Sequence, residues 1–347
     1  MSAPSLGSVP FAPSTPSTIV ELPYHRLLRA QPTYRWWRPL VALLLLAVFI
    51  LIENIVIVVG VLLVAATTGA IVVTDVESLQ SGLLYFFLPD AAEPLTLLIG
   101  LGVVALWLPL VPLALRIAGI RPAGIKTNII NSVTFRLRWR WMMWCFVPAV
   151  AVLGLSTAAS IGMGVAFGEP VGRFTTDPAV YVVSLAVILL VVPFQAAAEE
   201  FVFRGVMLQA IGSWLRWMPA ALAVTTLAFV SLHIYEIWGL LDVAIFAVTA
   251  AFLIWRTGGL EAAIVLHVVN NVVGLAVMGT GMFGETGISP EGGSPGALVT
   301  TALTMAVYGI VVVAMAKRQG IEHLSRIGIP AKAAPSVTGT ATPTGET

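Results

Sequence analysis

Two adjacent glutamates and an arginine interrupt an apolar run that reads Gln195-Ala196-Ala197-Ala198-Glu199-Glu200-Phe201-Val202-Phe203-Arg204. An ionised side chain costs several kcal/mol in the middle of a bilayer, so charges at this density mark either the solvated edge of a span or a site. A helix turns by about 100° per residue, which puts Glu200 and Arg204 on one face, where they can pair, and turns Glu199 away from them. Glu199, partly desolvated and beside a second carboxylate, then suits a general base acting on water.

Two further polar interruptions follow. Phe229-Val230-Ser231-Leu232-His233 lies near the end of the next apolar stretch, and His267-Val268-Val269-Asn270-Asn271 lies inside a later one. His267 and Asn271, one turn apart, can project two hydrogen-bonding groups into the same cavity, with Asn270 less well placed for that face. Taken singly, His233 also suits an interfacial residue, and the His267 group also suits bonds between neighbouring helices. Together they supply a base, imidazoles and donors for developing charge.

Positioning these groups requires helices that cross a membrane. Of the 347 residues 58% are hydrophobic and only 10% charged, and the mean hydropathy is +0.96, far outside the range of soluble domains. The pattern predicts an all-α polytopic membrane helix bundle of about eight transmembrane helices. They run over Leu40–Ala66, Pro94–Ile117, Trp141–Phe167, Pro178–Ala198 with a continuation toward Trp214, Pro219–Tyr235, Leu240–Trp255, Leu260–Gly279 and Ala297–Ala316. If the fourth helix continues and turns at Ser213–Pro219, Glu199 and His233 are equally far in sequence from Arg216 and meet at similar depth across an antiparallel pair. Pro193 is expected to kink that helix just before the carboxylates.

Eight spans sort the connecting segments into two sets. Of the 18 lysines and arginines, all but Arg173 fall in one set, and Asp75, Glu77, Asp90, Glu93, Glu285 and Glu291 fall in the other. The positive-inside rule then predicts a multi-pass protein of the cell membrane with both termini cytoplasmic. Trp36, Trp37, Trp139, Trp141 and Trp144 sit among the arginines, as headgroup anchors do. The net charge of +1 and the lack of a basic, aromatic-interleaved tract exclude a nucleic-acid partner. Cys145, the single cysteine, lies in an apolar run and reads as an inert packed thiol. Glu53 and Asn54 interrupt the first span and are expected to bond a neighbouring helix. The first 22 residues, rich in Ser, Pro and Thr, read as a tail and not a signal peptide.

In order along successive apolar helices, the three stretches resemble the CAAX-protease and bacteriocin-processing family, the type II CAAX prenyl endopeptidases and their bacterial relatives. That family's Glu-Glu-x-x-x-Arg, Phe-x-x-x-His and His-x-x-x-Asn patterns are matched by Glu199, Glu200 and Arg204, by Phe229 and His233, and by His267 and Asn271. The resemblance covers residues 178–279. It implies hydrolysis of a peptide bond in a membrane-embedded cavity, on a peptide or protein substrate with or without a lipid modification. Glu199 and His233 would activate water, while His267 and Asn271 would donate to the oxyanion, a contribution of about 3 kcal/mol per donor. Glu200 and Arg204 would orient the site, with Phe229 packed beside it. The site is expected to need no cofactor; the alternative is zinc at Glu199, His233 and His267. Other functions keep a place at this stage: a membrane scaffold or bacteriocin-immunity-type protein in which the polar cluster holds helices together, and a transporter with a carboxylate proton relay. The expected organisation is a disordered, basic N-terminal segment (1–38), N-terminal transmembrane helices (39–177), the catalytic core (178–279), a last transmembrane helix with its juxtamembrane segment (280–329), and a disordered tail (330–347).

Overall fold

A computed structural model of the chain describes residues 17–31, 34–70, 74–124, 126–168, 172–290 and 293–330. The expected tails at 1–16 and 331–347 lie outside the described residues, as do Glu291 and Lys332. In chain order the elements are β1 (Ser17–Pro23), a 3-10 turn (Tyr24–Ala30), α1 (Arg38–Thr67), α2 (Val76–Phe87), α3 (Pro94–Ala105), α4 (Trp107–Ile117), α5 (Trp139–Ala166) and α6 (Pro178–Glu199). A π-helical stretch (Glu200–Met207) follows, then α7 (Leu208–Trp214), α8 (Met218–Val230), α9 (Ile237–Thr257), α10 (Glu261–Met278), α11 (Pro295–Arg318) and β2 (Leu324–Pro330). The starts of α1, α3, α6, α8 and α11 each carry a proline in the first turn, where the missing N–H is no loss.

The chain forms a polytopic helical bundle. Among the described residues seven helices are long and apolar enough to cross a membrane, counting 94–117 and 178–214 as one each. The eighth expected span differs. Its helix, α8, has 13 residues, about 20 Å against a hydrocarbon core of about 30 Å. The chain still passes between the two ends of the bundle here. Before α8, Trp214 Nε1 donates to the Trp36 carbonyl; after it, the Glu236 N–H donates to the Pro290 carbonyl. Ser231–Glu236, not helical, completes the passage. Irregular backbone at such a depth is tolerated where it lines a polar cavity, and it carries His233.

The two ends are chemically distinct. At one, Arg38 Nη1 donates to Gly119 O, Arg29 Nε to Ser213 O, and Arg138 to Thr257 O, Glu322 O and both Glu261 oxygens. At the other, the loops around Asp90, Gly172, Thr175 and Ile288 bond to one another through Asp90–Gly287, Gly172–Met282, Thr175–Thr280 and Ile288–Pro89 pairings. The first and last elements close the arginine-rich end: β1 and β2 pair antiparallel from Ser17↔Pro330 to Pro23↔Leu324. Ser17–Pro23, expected within a tail, is therefore a strand. Beneath it Tyr24 donates its hydroxyl to the Ile130 carbonyl.

Burial ranks the helices. Half of the apolar window of α10 is buried against 11% for α1, so α10 is the central post and α1 faces lipid, with Leu44, Leu51, Val56 and Leu63 exposed. Ala262, Ala263, Ala247, Ala250 and Ala251 let α9 and α10 pack closely. In α1 the Asn54 amide donates to Ile50 O and Glu53 Oε2, within its own helix, and of the pair it is Glu53 that reaches a neighbouring helix, with its carboxyl beside the Trp107 indole on α4. Cys145 is free and buried.

Candidate active site

The six sequence-predicted residues lie on four stretches of the chain, α10 among them. Glu199 ends α6, Glu200 and Arg204 occupy the π-helical stretch, His233 sits just beyond α8, and His267 and Asn271 lie on α10. The helix 178–214 runs on as expected and turns between Trp214 and Met218. Pro193 lies inside α6, and the departure from α geometry comes after it, at Glu200–Met207. Such π-bulges re-aim side chains and recur at functional sites.

Glu200 and Arg204 pair as their spacing predicts, Nη1 to Oε1 at 3.1 Å, with neither side chain open to solvent. His267 Nδ1 donates to the same Glu200 oxygen at 2.9 Å. This fixes the ring with its other nitrogen toward Glu199: Nε2 stands 3.7 Å from Glu199 Oε2. That is too long for a direct hydrogen bond but short enough for one oxygen atom to bond both. Glu199 is turned away from Arg204, and its Oε1 accepts from Gln195 Nε2 at 2.7 Å. Gln195 Oε1 in turn accepts from Asn271 Nδ2 at 3.1 Å. One amide N–H of Asn271 remains for another acceptor.

Phe229 ties the second motif to the first. Arg204 Cζ lies 4.0 Å from its ring centroid, a cation–π contact in a desolvated setting. The same ring packs against His233 at 4.8 Å and edge-on to His267 at 6.3 Å. His233 Nδ1 is 2.9 Å from the Phe229 carbonyl. A carbonyl only accepts, so Nδ1 carries the proton and the Nε2 lone pair is free to take one.

Glu199, Phe229, His233, His267, Asn270 and Asn271 all line one cavity of about 620 Å³. Asn270, expected to be less well placed for that face, reaches it as well and donates to Asn271 Oδ1 at 3.3 Å. Gln195, Phe246, Asp242 and Tyr235 are lining residues that reading the motifs passed over. Phe246 packs edge-on to His267 at 4.9 Å. Gln195 had a signal in the sequence, one turn before Glu199 on the same face; Asp242 is an acid inside a span. Tyr235 lies outside the helices, in the irregular segment after α8. Among the described residues no three His, Cys, Asp or Glu side chains are grouped to hold a metal ion, and the alternative set of Glu199, His233 and His267 is not so grouped.

A family model described as type II CAAX prenyl endopeptidase Rce1-like matches residues 181–273. Over that segment the chain is similar to the Rce1-like family. All six predicted residues lie within the matched stretch, and the match supports membrane proteolysis as the general activity. No curated protein and no solved structure matches the chain. The Rce1-like segment supplies every side chain named above, with the helices outside it packed around them.

Proposed function

We propose that the chain is an intramembrane endopeptidase that hydrolyses a peptide bond with water activated by Glu199. The observation that carries this reading is the placement of His267 between two carboxylates, Nδ1 on Glu200 and Nε2 facing Glu199 across 3.7 Å at the wall of one cavity. Glu199 takes a proton from water as the oxygen attacks the substrate carbonyl, and the His233 Nε2 lone pair accepts the water's second hydrogen bond. The oxyanion that forms accepts from the free Asn271 N–H and from His267 Nε2 in its protonated form. Glu199 then returns its proton to the departing amine. Gln195 holds Glu199, and the Glu200–Arg204–Phe229 stack holds His267. These steps use no cofactor or metal ion. The substrate is a peptide or protein, with or without a lipid modification, that reaches the site from the bilayer.

The chain sits in the cell membrane with both termini cytoplasmic, a reading supported by the arginines gathered at the end where β1 and β2 meet. The test of the activity is Glu199→Gln. It keeps the Gln195 contact and removes the base, so peptide cleavage by purified, folded protein falls at least 100-fold, while wild-type activity survives strong chelators. Turnover retained in the variant would remove Glu199 from the role.

A further inference from the structure

The cavity holds a second carboxylate that the reaction above does not use. Asp242 lies on α9, four residues before Phe246, and both line the cavity with Glu199. Four helical residues span about 6 Å, so Asp242 stands one turn beyond the ring that packs on His267. The hydroxyl of Thr301, on the facing α11, is within hydrogen-bond reach of its carboxyl. Its Oδ1 is buried and has no hydrogen-bond partner among the described residues. An unpartnered carboxylate oxygen inside a membrane bundle is costly, and such groups mark substrate or ion paths.

The rest of the lining has no charge to answer it. Among the described residues the titratable side chains lining the cavity are Glu199, His233, Tyr235, Asp242 and His267, and none is a lysine or arginine. Arg204 is walled off behind Phe229 and paired to Glu200. The far end of the cavity is lined by Pro89, Ile288 and Gly293, in the loops of the arginine-poor end. There Asp90 follows Pro89, Glu236 follows Tyr235, and Glu285 lies in the same loop as Ile288. Inside the cavity a carboxylate group meets like charge at Glu199 and Asp242; a cation meets a favourable potential and ends at a free acceptor.

We infer that Asp242 is a specificity residue that receives a cationic group of the substrate, a lysine or arginine side chain or a free α-amino group within a few residues of the bond cleaved. The inference rests on the endopeptidase reading of the same cavity. Extended peptide advances about 3.3 Å per residue, so a turn of α9 corresponds to about two residues. The ammonium or guanidinium donates to Oδ1, with the Thr301 hydroxyl close to the same carboxyl.

The experiment uses the full chain in lipid nanodiscs and two degenerate decapeptide libraries, one with a fixed lysine and one with norleucine in its place. The wild type is expected to cleave the lysine library with kcat/KM at least tenfold higher. D242N brings that ratio close to one, and D242E keeps part of it. Equal cleavage of both libraries by the wild type, or an unchanged ratio in D242N, overturns the inference and leaves the endopeptidase reading intact. Binding of fluorescent versions of both libraries to E199Q separates the two claims. If the wild type cleaves neither library but E199Q binds the lysine form at least tenfold tighter, and D242N in that background abolishes the difference, the cation site stands and the proteolytic reading fails. No preference in either assay overturns the inference.

Discussion

Glu200 is sealed from solvent, and one of its oxygens takes hydrogen bonds from both Arg204 and His267 while the other has none among the described residues. A buried pair of this kind adds little net stability over an apolar replacement, but removing one partner strands the other charge. Arg204→Met is therefore expected to lower the unfolding free energy by about 3–5 kcal/mol. The double variant E200Q/R204M, which strands no charge, is expected to recover more than half of that loss. Unfolding in mixed micelles by SDS titration reads both. Equal stability of wild type and Arg204→Met would show that the pair is not held as described. The arginine also carries Phe229 on its face, and through it His233 and His267, so a single charge organises residues from three motifs.

At the scale of elements, the continuous helix from Pro178 to Trp214 has 37 residues, about 55 Å, and what fixes its lower end is a contact that only glycine permits. A Cβ on Gly212 would stand 2.1 Å from the His25 carbonyl oxygen, so the 3-10 turn lies directly on α7. Gly212→Ala gains helix propensity of about 1 kcal/mol but must push backbone apart. The clash is expected to win, with a net loss of about 1–3 kcal/mol and faster tryptic cleavage at Arg26 and Arg29. Gly154→Ala on α5, where nothing lies within 4 Å of the added carbon, is expected to be neutral or mildly stabilising in the same assay. The sequence made the long spans and the six site residues readable because each is a departure from its surroundings: apolar runs set by prolines, and polar groups inside them. The π-helical stretch was not readable, since it depends on packing that buries Glu200 and Arg204 and sets Gly205 against Ile130 and leaves no local compositional mark. Nor was the short α8, because Leu232, Ile234 and Tyr235 extend the apolar stretch past the helix's last hydrogen-bonded turn. β1 and β2 pair across most of the chain's length, a contact no local pattern reports. α2, by contrast, carries a readable start in its Asp75–Ser78 capping box, and its 12 residues fell below the length set for spans.

For the whole molecule, the separation of charge between the two ends sets both the proposed orientation and the route to the cavity. The arginine-rich end is closed by β1, β2 and the 3-10 turn, while the cavity extends toward loops that carry Asp90 and Glu285. If the positive-inside rule orients the chain, the closed end is cytoplasmic and the acidic loops lie across the membrane. Cys145 is fully buried, so it is expected to be silent toward a membrane-impermeant maleimide, and single cysteines can be added without removing it. Glu285→Cys, in an exposed loop of the acidic end, is expected to label in intact cells. Glu322→Cys, exposed beside β2, and Arg35→Cys, exposed before α1, are expected to label only after permeabilisation. The reverse pattern would invert the orientation and bring the cavity's far end to the cytoplasm. Labelling of Glu322→Cys and Arg35→Cys from opposite sides would contradict the strand pairing itself, because Ser17↔Pro330 through Pro23↔Leu324 requires both chain ends on one face.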